Sequence, residues 1–364
     1  MVGLPRGRQH ASEASLSRLR WLVGIVISLI ALYIAFVGVH WRAVGTALED
    51  ANYWLLVPAL PLLFVFVAIR AQRWRLLFYP DTHISLLATF GALNIGYMAG
   101  AVLPLQLGEL ARVYVLSDSQ KLPPGRVLST VAVERLLDVF ALLLLLALLV
   151  PFVDLPTVAA ITSLVIAAIF LLPALIVVIA VLDRPRVERW SEWLAGRLPE
   201  RFRDRARGLA HSLLDGLSAL SNPKVLLSVI FLTFGAWMTS SCVVYLVMRA
   251  FSLDVPFAAA PFVLIATTFG FFVPSSPGAI GVYHAISIRT LTNVFDVPHD
   301  AAVSYTLVVH ALYLLSPTIV GACFFWWNHL SLRRLQSIEQ QVEAEGSSAF
   351  EMPRAPELPQ QPSP

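Results

Sequence analysis

Charge is what this sequence has least of. Asp, Glu, Lys and Arg make up 13% of its 364 residues, while hydrophobic residues make up 57% and the mean hydropathy is +0.74. A water-soluble domain of this size could not hide so much apolar surface, so lipid must be its solvent. Cysteine is scarcer still. Cys242 and Cys323 both lie in apolar runs, where free thiols serve packing, and they exclude a disulfide framework. No Cys/His metal spacing is present, and neither metal nor cofactor is expected. There is no G-x-S-x-G, no H-E-x-x-H, no Walker loop and no G-x-G-x-x-G opening a helix, so no catalytic constellation is assigned. The net charge of +3 is small and uneven. It suits cytoplasmic loops facing anionic lipid and points away from a nucleic-acid partner.

What the chain has instead is apolar length. A crossing helix needs about 20 apolar residues, and 20–39, 53–70, 127–150, 156–182, 225–250 and 301–327 qualify, six in all. The first follows Arg6, Arg8, Arg18 and Arg20 and shows no cleavage site, so it reads as a retained helix. Two further apolar stretches, 84–117 and 257–292, are long enough for two passes but are broken in the middle. The excess of Arg and Lys on cytoplasmic loops sets the orientation. Residues 1–19 form a cytoplasmic tail, and 40–52 is external. Arg70, Arg73 and Arg75 return the chain to the cytoplasm. Arg112, Lys121 and Arg126 mark the next link as cytoplasmic too, which requires 84–117 to dip in and come back. Segment 183–224, with eight arginines and Lys224, is cytoplasmic, and its apolar residues recur at helical spacing. That pattern fits either helices lying on an anionic leaflet or solvated loop helices. The links 251–256 and 293–300 lack Lys and Arg and face outside, making 257–292 a second dip from the opposite face. Residues 331–364 form a polar, proline-rich cytoplasmic tail expected to be disordered.

The two breaks share a pattern. "AVLPLQLGEL" and "FFVPSSPGAI" each give an apolar pair, Pro, three residues, then Gly: Pro104 with Gly108, and Pro274 with Gly278. Proline removes a backbone donor and glycine permits a reversal. Within hydrocarbon such backbone survives only where protein buries it or water reaches it. The units 53–150 and 225–327 then run in opposite directions. This is the sequence signature of an inverted repeat with a substrate held between broken segments. The fold class is all-α and polytopic: about six spanning helices plus two re-entrant helical hairpins.

Ionisable residues collect after the first break. Glu109 and Arg112 are one helical turn apart; Glu134 and Asp138 share a face at i and i+4, and Arg135 reaches Asp138 at i and i+3. Charges at this depth cost a few kcal/mol each on insertion scales, so they face the protein interior or a wet cavity. Two readings stand. Arg112 and Arg135 meet a lipid phosphate while the carboxylates hold them, or the group is a closed ion-pair cluster that pins the dip to its neighbour. His284 and His310 read as hydrogen-bonded packing residues.

The stretch "NIGYMAGAVLPLQLGELAR" (94–112), "ERLLD" (134–138), "PSSPGAIG" (274–281) and the basic "RAQRWRLL" (70–77) resemble the membrane region of lysylphosphatidylglycerol synthases. That family includes stand-alone, flippase-like members. The resemblance covers residues 20–330 and implies a multi-pass protein of the bacterial cytoplasmic membrane, both termini inside, that moves or presents lipids. On matching positions it implies a polar site of Asn94, Glu109, Arg112, Glu134, Arg135 and Asp138. It makes Pro104, Gly108, Pro274, Ser276, Pro277, Gly278 and Gly281 the hairpin tips. The soluble aminoacyl-transferase domain of the full synthases is absent from this chain, so lysyl transfer by it is not expected. The expected partners are membrane lipids, anionic or phosphate-bearing, together with enzymes of lipid or glycan synthesis. The function expected first is a flippase-like exchange of a polar-headed lipid between leaflets. The alternatives are an enzyme of lipid head groups working through Glu109 and Glu134, and a membrane subunit that holds a synthase in place.

The loop charges give a direct test. In a background without Cys242 and Cys323, single cysteines at Ser119 and Ser191 are expected to be labelled only from the cytoplasm, and one at Asn293 only from outside. Periplasmic labelling at Ser119 would show that 84–117 crosses, ending the inverted-repeat reading.

Overall fold

Asparagine and proline set the starts of the long helices in the computed structural model, which describes residues 25–81, 83–102, 107–153, 183–199, 216–271 and 275–327 and isolated positions between 179 and 214. In chain order the helices are α1 (Ile25–Phe36), α2 (Trp41–Glu49), α3 (Leu56–Leu76), α4 (Leu86–Val102), α5 (Leu107–Gln120), α6 (Pro124–Leu149), α7 (Arg184–Arg197), α8 (Pro223–Ala250), α9 (Ala259–Gly270), α10 (Val282–Val294) and α11 (His299–Trp327). The described residues contain no strand. Asn222 caps α8 by accepting from the Lys224 amide at 3.0 Å, with Pro223 at the first helical position. Asn52 does the same for the short turn entering α3, accepting from Trp54 at 3.2 Å. Each side chain satisfies one of the amides that a helix start leaves unpaired, and proline has no amide there to lose.

α3 and α8 pack along each other and run antiparallel. The Asn52 amide donates to the Ala250 carbonyl at 2.8 Å at one end, and Arg73 reaches the Thr233 hydroxyl at 3.2 Å towards the other. α4 and α5 form a hairpin: Gly100 lies beside Gly108, Gly96 beside Arg112, and the Ser85 amide donates to Gln120 Oε1 at 3.3 Å where the arms part. α9 and α10 form a second hairpin, with Gly270 against Ile286 near its closed end and Phe262 edge to face with Phe295, ring centres 5.8 Å apart, near its open end. The first hairpin opens beside the end of α3, where Arg126 pairs with Asp81 at 2.6 Å. The second opens beside the end of α8, where Leu253 and Val255 join the same core as Leu291 and Val297. Because α3 and α8 are antiparallel, the hairpins open at opposite ends. Their closed ends meet: Gly278 lies against Leu314 of α11 and within reach of the Ala101 carbonyl at the end of α4.

Lengths explain this arrangement. At about 1.5 Å per residue, the four hairpin arms measure roughly 18 to 26 Å, short of a hydrocarbon core of about 30 Å. Three helices are long and apolar enough to cross, Tyr53–Leu76, Pro223–Ala250 and His299–Trp327. A fourth crossing is available if α1 and α2, bent by 79° at the intervening residues, form one span. The sequence expectation was six. α6 has the length, at 26 residues, but Glu134, Arg135 and Asp138 remove it from a hydropathy count. The run 156–182, Ile179 apart, lies outside the described residues, as do both tails and the tip prolines Pro104 and Pro274. Part of the link 40–52, expected as an external loop, is the helix α2. Trp190 and Trp193 of α7 are exposed, with the Arg197 guanidinium over the Trp193 ring.

Close approach here depends on small residues, because lipid removes the hydrophobic drive between helices. Gly96 and Gly100 form a G-x-x-x-G face on α4, and Gly108 fits onto it. Gly108, expected at the hairpin tip, sits in the first turn of α5, where it permits close contact between the arms. The second tip behaves as expected of glycine: Gly278 has φ +67° and Gly281 φ +96°, and Pro277 opens its short 3-10 turn. The thiols differ from expectation in degree, Cys242 being half-buried and Cys323 exposed.

A β-carbon on Gly108 would collide with the Gly96 carbonyl oxygen and lie 2.8 Å from the Gly100 nitrogen, both backbone atoms that cannot step aside. Gly108→Ala is expected to cost about 1–3 kcal/mol by overpacking and to lower the thermal midpoint in detergent. Gly235→Ala, in the middle of α8 with nothing within 4 Å, is expected to hold or raise it. Equal midpoints for both variants would rule out the tight hairpin.

Candidate functional site

On α3 the positions Ala59, Leu63, Phe66, Val67, Arg70, Arg73 and Trp74 are all buried, and their spacing by three and four marks one helical face. That face carries two arginines into the protein. Opposite it, Glu134 and Asp138 project from one face of α6. Glu134 Oε1 accepts from Arg70 at 2.5 Å and Arg73 at 2.9 Å, and its Oε2 accepts from Arg112 of α5 at 2.7 Å. Asp138 Oδ1 accepts from Arg73 at 2.6 Å and Oδ2 from Arg70 at 3.0 Å. Glu109, in the first turn of α5, bridges outward: Oε2 accepts from Arg112 Nε at 2.7 Å and Oε1 from Arg135 at 2.6 Å. Arg135 also lies 3.8 Å from Asp138. Aromatic faces complete the lining. The Arg112 guanidinium sits 4.9 Å from the Trp74 ring centre, and Trp74 Nε1 donates to Thr130 at 3.0 Å.

Burial grades this network. Arg73 and Glu134 are fully buried, while the Arg135 and Glu109 side chains are 41% and 36% exposed. The mouth is therefore at Arg135 and Glu109. All six carboxylate oxygens are engaged, yet among the described residues four guanidinium groups face three carboxylates, leaving one positive charge in excess. Arg70 Nε, Arg73 Nε, Arg112 Nη2 and Arg135 Nε are buried without a hydrogen-bond acceptor among the described residues. A buried donor left unpaired costs about 1–3 kcal/mol, more when charged.

Five of the six expected site residues, Glu109, Arg112, Glu134, Arg135 and Asp138, thus come together. Asn94 does not join them in any described contact. It is buried in α4, where its amide nitrogen donates to the Phe90 carbonyl at 2.8 Å and its own carbonyl packs against Gly321. Arg70 and Arg73 are the residues that sequence reasoning misplaced. The sequence assigns them only to returning the chain to the cytoplasm and not to the polar site, and they are core members of the network. The apolar spacing from Ala59 through Trp74 carried the signal.

At the second tip, His310 Nε2 donates to the Gly278 carbonyl at 2.9 Å, and His284 Nδ1 accepts from the Gly281 amide at 3.4 Å. The two imidazoles meet edge to face at 4.8 Å, with Tyr283 stacked on His310 at 4.4 Å. The Ser276 amide donates to Ser28 Oγ of α1 at 2.7 Å. These bonds hold strained backbone in place, as expected of packing histidines.

An α-helical membrane protein, with two short hairpins meeting tip to tip beside a buried arginine–carboxylate network, is the class that fold and site define. Residues 21–321 match the family described as lysylphosphatidylglycerol synthase TM region, and the chain belongs to that family. It is 26% identical over 282 residues to a UPF0104 membrane protein of Methanothermobacter thermautotrophicus, covering 72% of this chain and 82% of that protein. No solved structure matches it.

Removing one partner from a buried charge network leaves the others uncompensated, at about 3–5 kcal/mol. Glu134→Gln strands Arg70, Arg73 and Arg112 and is expected to cut membrane abundance severalfold. Arg135→Gln, at the exposed mouth, is expected to leave abundance near wild type. Immunoblots of isolated membranes decide. Equal abundance of the two would contradict the gradient from core to mouth.

Proposed function

We propose that this protein draws the head group of a phosphate-bearing lipid to the arginine network and exposes it to each membrane face in turn, as a flippase-like transporter of the cytoplasmic membrane. In this reading the two hairpins are re-entrant, entering from opposite faces, and the units 53–150 and 225–327 form an inverted repeat around six crossings. The antiparallel α3 and α8, the opposite openings of the hairpins and their meeting tips support that arrangement.

One observation carries the functional reading: the excess of guanidinium over carboxylate in a buried, largely satisfied network. A staple between helices needs only balanced charge, and apolar side chains of similar volume often stabilise as well as a buried ion pair. A surplus arginine at the mouth, with spare donors, suits an anion that arrives and leaves. Arginine's planar fork matches phosphate oxygens two at a time. The transport reading involves no bond making. An acid–base enzyme would need Glu134 free to exchange protons, and both its oxygens are committed to arginines.

The test uses phosphatidylcholine proteoliposomes carrying a trace of fluorescent phosphatidylglycerol, with dithionite reporting which leaflet holds the probe. Wild-type protein is expected to speed the loss of inner-leaflet signal over empty vesicles. Arg112→Lys and Arg135→Gln are expected to insert normally yet slow it about tenfold, the equivalent of one lost charge-assisted hydrogen bond. Wild-type rates equal to empty vesicles would end the flippase reading. A chemically altered probe on chromatography would favour the enzyme, and a co-purifying synthase without leaflet exchange would favour the subunit role.

A further inference from the structure

Glu109 differs from the other two carboxylates of the network in every respect that bears on exchange. Glu134 and Asp138 project from α6 into the core and are each held by arginines of α3, with Arg112 adding a third hold on Glu134. Among the described residues Glu109 is held by Arg112 and Arg135 alone, and its side chain is 36% exposed. It also satisfies its two arginines incompletely. Arg112 Nη2 lies close to the carboxylate but is not aligned to hydrogen-bond, and Arg135 Nε has no acceptor among the described residues. Arg112 is 2% exposed, so its spare donor has no bulk water to turn to.

We propose that Glu109 is a built-in counter-ion, occupying the substrate's place on Arg112 and Arg135 until a phosphodiester displaces it. This rests on the lipid reading above and names the chemistry of its site. A phosphodiester carries one negative charge on two non-bridging oxygens, as a carboxylate does, so it can bridge the same two guanidinium groups. Its ester oxygens add acceptors for the donors that Glu109 leaves unpaired. Withdrawing Glu109 leaves four guanidinium groups facing two carboxylates, and one phosphodiester restores the original balance. The exchange keeps the net charge of the buried network constant, which a low-dielectric interior requires of any ligand that comes and goes. Glu109 also stands in the first turn of α5, whose amide end favours an anion of either kind. Arg70 and Arg73 remain fixed on Glu134 and Asp138 throughout, so the network keeps its geometry while its outer anion changes.

Two measurements on purified full-length protein in detergent test this. The first is binding of dioctanoyl phosphatidylglycerol by calorimetry. Glu109→Gln removes the internal competitor and is expected to bind about tenfold tighter than wild type, while Glu109→Asp, which keeps the charge, stays near it. The second uses wild-type protein alone, so it does not depend on a variant folding. Labelling of Glu109 by dicyclohexylcarbodiimide, read by peptide mass, is expected to rise severalfold when the lipid is added, because a carboxylate released from two guanidinium groups is open to reagent. Glycerophosphoglycerol, the same head group without chains, forms a second arm. A rise with lipid alone assigns the ligand as a lipid, and an equal rise with both assigns a free phosphodiester; either supports the exchange. If the lipid binds but Glu109→Gln binds no tighter and labelling is unchanged, the counter-ion role is overturned while the lipid site stands. If phosphatidylglycerol binds neither protein, the lipid site falls with it.

Discussion

A guanidinium group in a low-dielectric interior must meet an anion, and the rest of this structure is arranged around that requirement. Glu134 is where it is met most densely, with arginines from α3 and α5 converging on one carboxylate of α6. Each bond fixes the axial position of one helix against another, because sliding either by a turn would strand a charge. Arg73 extends the constraint to α8 through Thr233. Such a network contributes little net stability over an apolar core of the same shape. What it supplies is register. Lipid-facing helices packed by dispersion alone could slide at small cost.

Small residues meet the second requirement, which is closeness. Arg112 can reach Glu134 only if α5 lies near α6 while still paired with α4. The contact of Gly108 with Gly96 and Gly100 brings the hairpin arms to backbone distance. Gly96 also lies directly beside the Arg112 side chain, so a larger residue there would push the guanidinium out of the network. Packing of the hairpin and geometry of the charges are therefore one constraint seen from two sides. At the second hairpin the equivalent work falls to hydrogen bonds. His310, His284 and Ser28 hold a tip whose Gly278 and Gly281 adopt left-handed backbone.

Much of this was legible in the sequence, for identifiable reasons. Helix class, the paired breaks and the Glu134–Asp138 face follow from hydropathy and from spacing by four, which are local properties. The assembly of Glu109, Arg112, Glu134, Arg135 and Asp138 was also legible, because charges flanked by apolar residues have few places to go. Arg70 and Arg73 were not, because a basic cluster at the end of an apolar run has two meanings. Charge counting takes it as a cytoplasmic flank. The buried spacing from Ala59 to Trp74 takes it as the continuation of a core face. Deciding between them needs the count of acidic partners elsewhere: three carboxylates within apolar segments require cations, and Arg112 and Arg135 supply only two. Asn94 failed for the opposite reason. A lone amide in a membrane helix can satisfy itself on its own backbone, and this one does so at Phe90.

That count also bears on how such a site could release what it binds. A network with balanced charge has no preference for an added anion, and one with a large positive excess would hold the anion too tightly to turn over. An excess of one, with the outermost carboxylate part-exposed and held, among the described residues, by two arginines, lies between these limits. On the proposed reading, binding and release differ by the exchange of one anion for another at nearly constant charge. The deep members, Arg70, Arg73, Glu134 and Asp138, serve as a fixed frame, so only the mouth has to change. The meeting of the two hairpin tips beside that frame gives the exchange a position between two openings that face opposite ends of α3 and α8. A head group held at Arg112 and Arg135 would need small movements of either hairpin, rather than of the long helices, to be reached from one end or the other.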